Sequence, residues 1–296
     1  RLLSRGLGDV YKRQIEGLSQ CELATQKALE FARNRKQGHA KIDNRKGVIL
    51  DHPDVRRMLI TMKSLTAAAR ALCLDAALSL DLSKSNDKQL ASKESARASF
   101  LIPIAKAFST DIGCRVADIG IQVHGGMGYV EETGVAQVFR DVRVTAIYEG
   151  TNGIQAIDLV GRKLADSGKA ANGLIDEMKL TISNCSNHED QQIREMGTRL
   201  SKSLVCLEST LNWMLKQEDF NNRLAGATPF LQAFGMILGA NYLVKAAMKT
   251  DALDRKSLAQ FYCANILPEM EAYGVISQSG QKSLYNFTDN FFGFSQ

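Results

Sequence analysis

Proline is scarce in this chain, four residues in 296, and the polar stretches are built largely of helix formers. A proline inside a helix deletes a hydrogen bond and clashes with the preceding turn, so its rarity leaves room for long helices. No stretch of useful length alternates apolar and polar residues with a period of two, which argues against strands. The six cysteines (Cys21, Cys73, Cys114, Cys185, Cys206 and Cys263) are scattered, with no C-x-x-C pair. That excludes zinc-finger spacing and a compact disulfide framework, and fits a reducing compartment where thiols are small core residues. The four histidines, His39, His52, His124 and His188, include no i, i+4 pair, so no metal site is expected. No uninterrupted apolar run approaches 18 residues, so no membrane span is expected. G-x-S-x-G is absent, and Ser-His-Asp hydrolysis finds no support. A net charge of +5 is too modest to call for nucleic acid.

What is present is a globular composition, 45% apolar, over a length that allows two domains. The opening RLLSRGLGDVYKRQ lacks an initiator Met and any apolar run of signal-peptide length. Residues 1–14 are therefore expected to be a non-native leader outside the fold. From Ile15 to Arg35 the pattern is helical, with Leu18, Leu23, Ala24, Ala28 and Phe31 on one face. Pro53 opens a long helix whose stripe runs Met58, Met62, Leu65, Ala69, Leu72, Ala76, Leu80. SKSNDKQLASKES reads as a loop. A third helix follows, with Leu101, Ala105, Phe108, Ile112, Val116 and Ile119 on a face. Three long helices with short links predict an antiparallel bundle. After a short helix, VAQVFRDVRV, another begins beyond Thr151 with Ile154, Ile157, Val160 and Leu164. ADSGKAANG reads as a linker. Beyond it, stripes from Met196 to Met214, from Phe230 to Ile237 and from Leu258 to Ile266 predict a second helical unit over 169–296, where Gly235 and Gly239 would let a neighbour approach closely. The fold class is all-α.

Two stretches carry chemistry. QVHGGMGYVEETG holds four glycines in thirteen residues, a backbone able to approach a ligand or an anion closely. It is not G-x-G-x-x-G after a strand, so it is no dinucleotide-fold fingerprint. AIYEGTNGIQ sets Glu149 between an aromatic and a glycine, just before an apolar helix. Taken alone, such a carboxylate is solvated or assists the helix N-terminus. A basic cluster, Arg33, Arg35, Lys36, Lys41, Arg45 and Lys46 against Asp43 alone, is either a solvated loop or an anion site.

Together, QVHGGMGYVEETGVAQVFRDVRVTAIYEGTNGIQAIDLVGRKL resembles the C-terminal helical domain of the flavin-dependent acyl-CoA dehydrogenases. The order Q-x-x-G-G-x-G-Y, R-D helix, Y-E-G-T is matched by Gln122, Gly125, Gly126, Gly128, Tyr129, Arg140, Asp141, Tyr148, Glu149, Gly150 and Thr151. ARNRKQGHA resembles the family's R-K-x-F-G segment with its Phe absent, and HPDVRRMLITMK the helix that follows. The resemblance covers about residues 15–168. The tail resembles the extra helical domain of the 3-methylmercaptopropionyl-CoA dehydrogenase-like subgroup.

The resemblance implies FAD as cofactor and an acyl-CoA as substrate, oxidised to the 2,3-enoyl-CoA. Glu149 is implied as the base that takes the α-proton, with Tyr148 and Gly150 beside the substrate. FAD contacts are implied for Arg35, Lys36, Gln37, His52, Gln122, Val123, His124, Gly125, Gly126, Thr151, Asn152 and Gly153, with Arg35, Lys36 and Gln37 serving the FAD of a neighbouring subunit. Asn152 and Gly153 replace the Ser-Gln of some members. A homodimer or tetramer is implied, with electron-transfer flavoprotein as acceptor, in a bacterial cytoplasm or a mitochondrial matrix. The family's N-terminal helical and middle β-domains lie outside this sequence, and the leader stands where a CoA-binding Arg is expected. The chain is thus expected to be a piece of a longer enzyme, inactive alone. An acyl-CoA oxidase is the nearest alternative. A DNA-binding homologue is another, but residues 250–296 set Asp251, Asp254, Glu269, Glu271 and Asp289 against Arg255, Lys256 and Lys282, which makes nucleic acid a poor partner.

Overall fold

The computed structural model describes residues 2–38, 47–148 and 150–293, with side chains over 15–38, 47–148, 150–288 and 290–293. Helix α1 runs Leu2–Asn34. Residues 2–14, within the expected leader, are helical in backbone and continuous with the rest of α1. The buried face of α1 is made of small residues, Gly17, Cys21, Ala24, Ala28 and Ala32, while Leu23 is 41% exposed. Small residues bring α1 close to its neighbour: a Cβ on Gly17 would lie 3.0 Å from the Ser109 carbonyl oxygen.

Helix α2, Pro53–Leu82, and helix α3, Lys88–His124, complete the first bundle. Its predicted stripes from Met58 to Ala76 and from Leu101 to Val116 are buried as expected. SKSNDKQLASKES is a loop only as far as Asp87, whose carboxylate accepts from the Gln89 and Leu90 amides and starts α3 there. The residues after it are polar because the first turns face solvent. Every residue from Phe100 to Thr110 is buried, so the middle of α3 is enclosed on all sides.

Short helices follow: α4 at Gly126–Tyr129, α5 at Val135–Thr145 and α6 at Asn152–Asp158. Helix α6 runs into a π-turn at Leu159–Lys163. The wider turn shifts the register, so the predicted face splits. Val160 and Leu164 are buried, along with Ala156 and Leu159, while Ile154 and Ile157 face solvent.

The remaining helices are α7 (Lys169–Ser186), α8 (Gln191–Lys216), α9 (Phe220–Ala225), α10 (Ala227–Ala247), α11 (Leu253–Asn265) and α12 (Glu269–Ser277). The predicted linker ADSGKAANG shrinks to 165–168, because the Asp166 carboxylate accepts from the Lys169 and Ala170 amides at the start of α7. Helix α10 is largely apolar and buried over most of its surface, and packs against α2, α3, α6, α8, α11 and α12. By length and composition it could cross a membrane, but most of that window is buried inside the protein. Gly235 lies under the Phe108 ring and Gly239 under Ala68 and the Tyr262 hydroxyl, as close approach requires. One continuous apolar core joins both helical units. Among the described residues there is no strand, only an isolated bridge between Lys36 and Val48.

Candidate functional site

After α1 ends, the Ile49 amide donates to the Arg35 carbonyl at 2.8 Å, and Lys36 bridges to Val48. Lys41, Arg45 and Lys46 of the basic cluster lie outside the described residues, as does His39. His52 Nε2 donates to the Gln37 carbonyl at 2.8 Å and Arg35 donates to the Gln37 side-chain oxygen at 3.3 Å. Across from this group, α3 ends at Gly125, whose φ of +59° only glycine adopts easily. Between them is a cleft of about 600 Å³ lined by Arg35, Gln37, His52, Gln122, Val123, His124, Gly125 and Gly126, with Phe31, Gly38, Ile49, Val55 and Met127. Eight of the twelve residues with implied cofactor contacts thus meet in one place. Lys36 is exposed beside them and does not line the cleft.

Phe31 is a wall of this cleft and not the core residue that periodicity predicted. Its ring stacks on His124 with centroids 4.4 Å apart and planes 29° apart. His124 Nδ1 donates to the Gly120 carbonyl at 2.7 Å. Burial holds the His124 pKa below the usual 6.5, with the Gly120 bond opposing and Lys27 assisting. The ring is therefore neutral at pH 7, with Nε2 as an acceptor.

The glycines of HGGMG have different reasons. A Cβ on Gly128 would lie 2.4 Å from the Ile121 carbonyl oxygen, so packing demands that glycine. Among the described residues, chain neighbours and a helical glycine's own local helix backbone aside, nothing lies within 4 Å of where a Cβ on Gly125 or Gly126 would stand. Both leave bare backbone open beside Arg35. That free space, the arginine and the aromatic wall fit part of a phosphate-bearing, planar cofactor such as FAD.

The second group lies on the connection from α5 to α6. The Asn152 amide donates to the Ala146 carbonyl at 3.1 Å, closing the turn. Gly150 takes a φ of +91°, and Thr151 caps α6 by accepting from the Ile154 amide. Gly153 follows in the first turn of α6. The Tyr148 hydroxyl donates to the Glu16 carboxylate. Glu149 lies outside the described residues. The Asn152 side chain points into the protein, donating to Asp111 at 2.6 Å and accepting from Lys106 at 2.7 Å. Its amide is thereby committed to internal contacts. Lys106 also donates to the Gly150 carbonyl at 3.0 Å, and Gln232 of α10 donates to the second Asp111 oxygen at 2.5 Å. Burial raises the Asp111 pKa, against the opposing pull of Asn152, Gln232 and Lys106.

Reasoning from the sequence missed Lys106, Asp111 and Gln232. A signal for the first existed: a lone lysine within FLIPIAKAF. The two groups do not meet within one chain. Asn152 rests on α3 between Ala107 and Asp111, and His124 lies roughly 20 Å further on, at a rise of about 1.5 Å per residue. Among the described residues no cluster of His, Cys, Asp or Glu could hold a metal ion.

Residues 14–164 match the family model for the acyl-CoA dehydrogenase C-terminal domain. The chain belongs to the acyl-CoA dehydrogenase family. Residues 174–288 match a second model, acetyl-CoA dehydrogenase C-terminal like. The chain is 36% identical to 3-methylmercaptopropionyl-CoA dehydrogenase of Ruegeria pomeroyi, over 85% of its own length and 44% of that protein. It thus spans less than half of that relative. Among solved structures, Caenorhabditis elegans ACDH-11 in complex with C11-CoA aligns at a TM-score of 0.73 and 20% identity, covering 94% of this chain and 47% of that one. An acyl-CoA dehydrogenase complexed with FAD from Bacillus anthracis aligns at 0.69 and 19%, covering 92% and 48%. These two share the fold.

Proposed function

We propose that this chain supplies two parts of an FAD-dependent acyl-CoA dehydrogenase: a cradle for FAD and the base, Glu149. The observation that carries this reading is the cleft that gathers Arg35, His52, Gln122 and the bare backbone of Gly125 and Gly126. Arg35 offers charge-assisted bonds to a pyrophosphate, and Phe31 with His124 forms a flat wall. Bound FAD supplies the acceptor for the β-hydride of the substrate.

Glu149 takes the α-proton of the acyl thioester, a very weak acid. Its own backbone N–H donates to the thioester carbonyl and stabilises the developing enolate. A dry setting raises the Glu149 pKa and makes it a better base. Tyr148, held by Glu16, and Gly150, held by Lys106, border that position. The separation of roughly 20 Å between cleft and turn along α3 supports a pocket built from two copies, each giving one part to each site. A homodimer or tetramer follows, with electron-transfer flavoprotein receiving the electrons.

The test is incubation of the full-length protein, loaded with FAD, with short and medium acyl-CoA thioesters, first without oxygen to follow flavin reduction and then with either electron-transfer flavoprotein or oxygen added to follow reoxidation. Formation of a 2,3-enoyl-CoA, with electrons passed to electron-transfer flavoprotein faster than to oxygen, is expected. Flavin reduction by none of the thioesters contradicts the reading, and faster transfer to oxygen makes the protein an oxidase.

A further inference from the structure

Lys106 is wholly buried, at 0% exposed, in the enclosed middle of α3. A buried ammonium is tolerated only when its donors are satisfied. Lys106 gives two of them to a single short turn, to the Gly150 carbonyl at 3.0 Å and the Asn152 side-chain oxygen at 2.7 Å. Asn152 in turn donates to Asp111 at 2.6 Å and Thr110 at 3.0 Å, and Asp111 accepts from Gln232 at 2.5 Å. A line of partly buried polar contacts therefore runs from α10, in the C-terminal unit, through α3, to the residue next to Glu149. Gly150 needs such an anchor. Its φ of +91° takes the backbone out of helical conformation between α5 and α6, where the Asn152 amide closes the turn on the Ala146 carbonyl and the ammonium fixes the Gly150 carbonyl.

We propose that Lys106 is a positioning residue for the turn that carries Glu149, and that the C-terminal helical unit reaches this turn through Gln232, Asp111 and Asn152. The proposal rests on reading Glu149 as the base. It gives the additional helical unit a part in the chemistry, because α10 helps set where the base stands. The cleft at the far end of α3 shares none of these contacts.

The test uses the full-length protein with Lys106→Met, which keeps the chain length and removes the charge, and with Gln232→Met. Two measurements are made: backbone amide exchange across residues 147–153 without substrate, and kcat and KM with an acyl-CoA. In Lys106→Met, exchange at the Asn152 amide should rise about tenfold or more, the effect of losing charged hydrogen bonds. The same variant should lose about tenfold or more in kcat, with KM and flavin content within about twofold. Gln232→Met should move both in the same direction, by about threefold, since it removes one outer bond. If Lys106→Met does not fold, Gln232→Met decides alone. Unchanged exchange in a folded variant overturns the proposal, and so does a loss that falls equally on KM and flavin content. Faster exchange with unchanged kcat leaves the anchoring standing and overturns the positioning role, while Glu149→Gln, measured beside it, tests separately whether Glu149 is the base.

Discussion

At the scale of single residues, the two glycines near the end of α3 separate packing from binding. Gly128→Ala would press a methyl against the Ile121 carbonyl, and backbone cannot yield as a side chain can. Overpacking of this kind costs ~1–3 kcal/mol, so the thermal midpoint should fall by several degrees. Gly126→Ala meets no other described residue, so its midpoint should hold while FAD retention through gel filtration declines. Equal midpoints for the two variants would contradict this division. His124 supplies a pH dependence. Its folded pKa lies below the ordinary 6.5, so between those values the unfolded chain binds a proton that the folded chain refuses. Its contribution is present above about pH 6.5 and is lost as pH falls through the folded value. Thermal midpoints should therefore drop from pH 7 to pH 5.5, and drop less in His124→Gln. Asp111, raised above 3.8, acts with the opposite sign, so it cannot cause that loss. An equal drop in both proteins would count against the assignment.

At the scale of elements, the apolar stripes were legible wherever large side chains recur on one face. Met58, Met62, Leu65 and Leu72 on α2, and Leu200 to Met214 on α8, are buried as the periodicity predicts. On α1 it held for Ala24 and Ala28, with Leu18 partly buried against the core, and failed at Leu23 and at Phe31, which lines the cleft. It failed again at the π-turn, since a period of 3.6 cannot anticipate an inserted residue. Element ends were lost for another reason: Asp87 and Asp166 are caps, and capped polar turns read like loops. The candidate site was legible as a set of motif residues, and their grouping into two places was not, because distance along α3 has no signature in local sequence. The start of α1 is open to a direct test. The buried face begins at Gly17 among the described side chains, so deleting residues 1–14 should move the thermal midpoint by no more than a few degrees. A larger fall would show that the early turns pack.

At the scale of the molecule, one core spans both helical units, so the 296 residues should fold as helices on their own. The same chain exposes Val144, Ile147, Ile154 and Ile157 around the turn of Glu149, and Leu284, Tyr285, Phe287, Phe291 and Phe292 near its end. Exposed apolar surface of this extent favours association. The isolated chain should therefore give a strong helical circular dichroism signal, sediment as more than a monomer, and produce no enoyl-CoA from octanoyl-CoA with added FAD. Turnover by this chain alone would mean that it holds the whole machinery.

The central claim is that Glu149 removes the α-proton while other residues of the chain hold the flavin. Glu149→Gln in the full-length protein tests both halves at once, because glutamine keeps the shape and cannot accept the proton. The measurement is the flavin absorbance after purification and then after anaerobic addition of an acyl-CoA. FAD content equal to that of the parent, with bleaching slowed by about a thousandfold or more, is the predicted result. Bleaching at the parent rate would contradict the account.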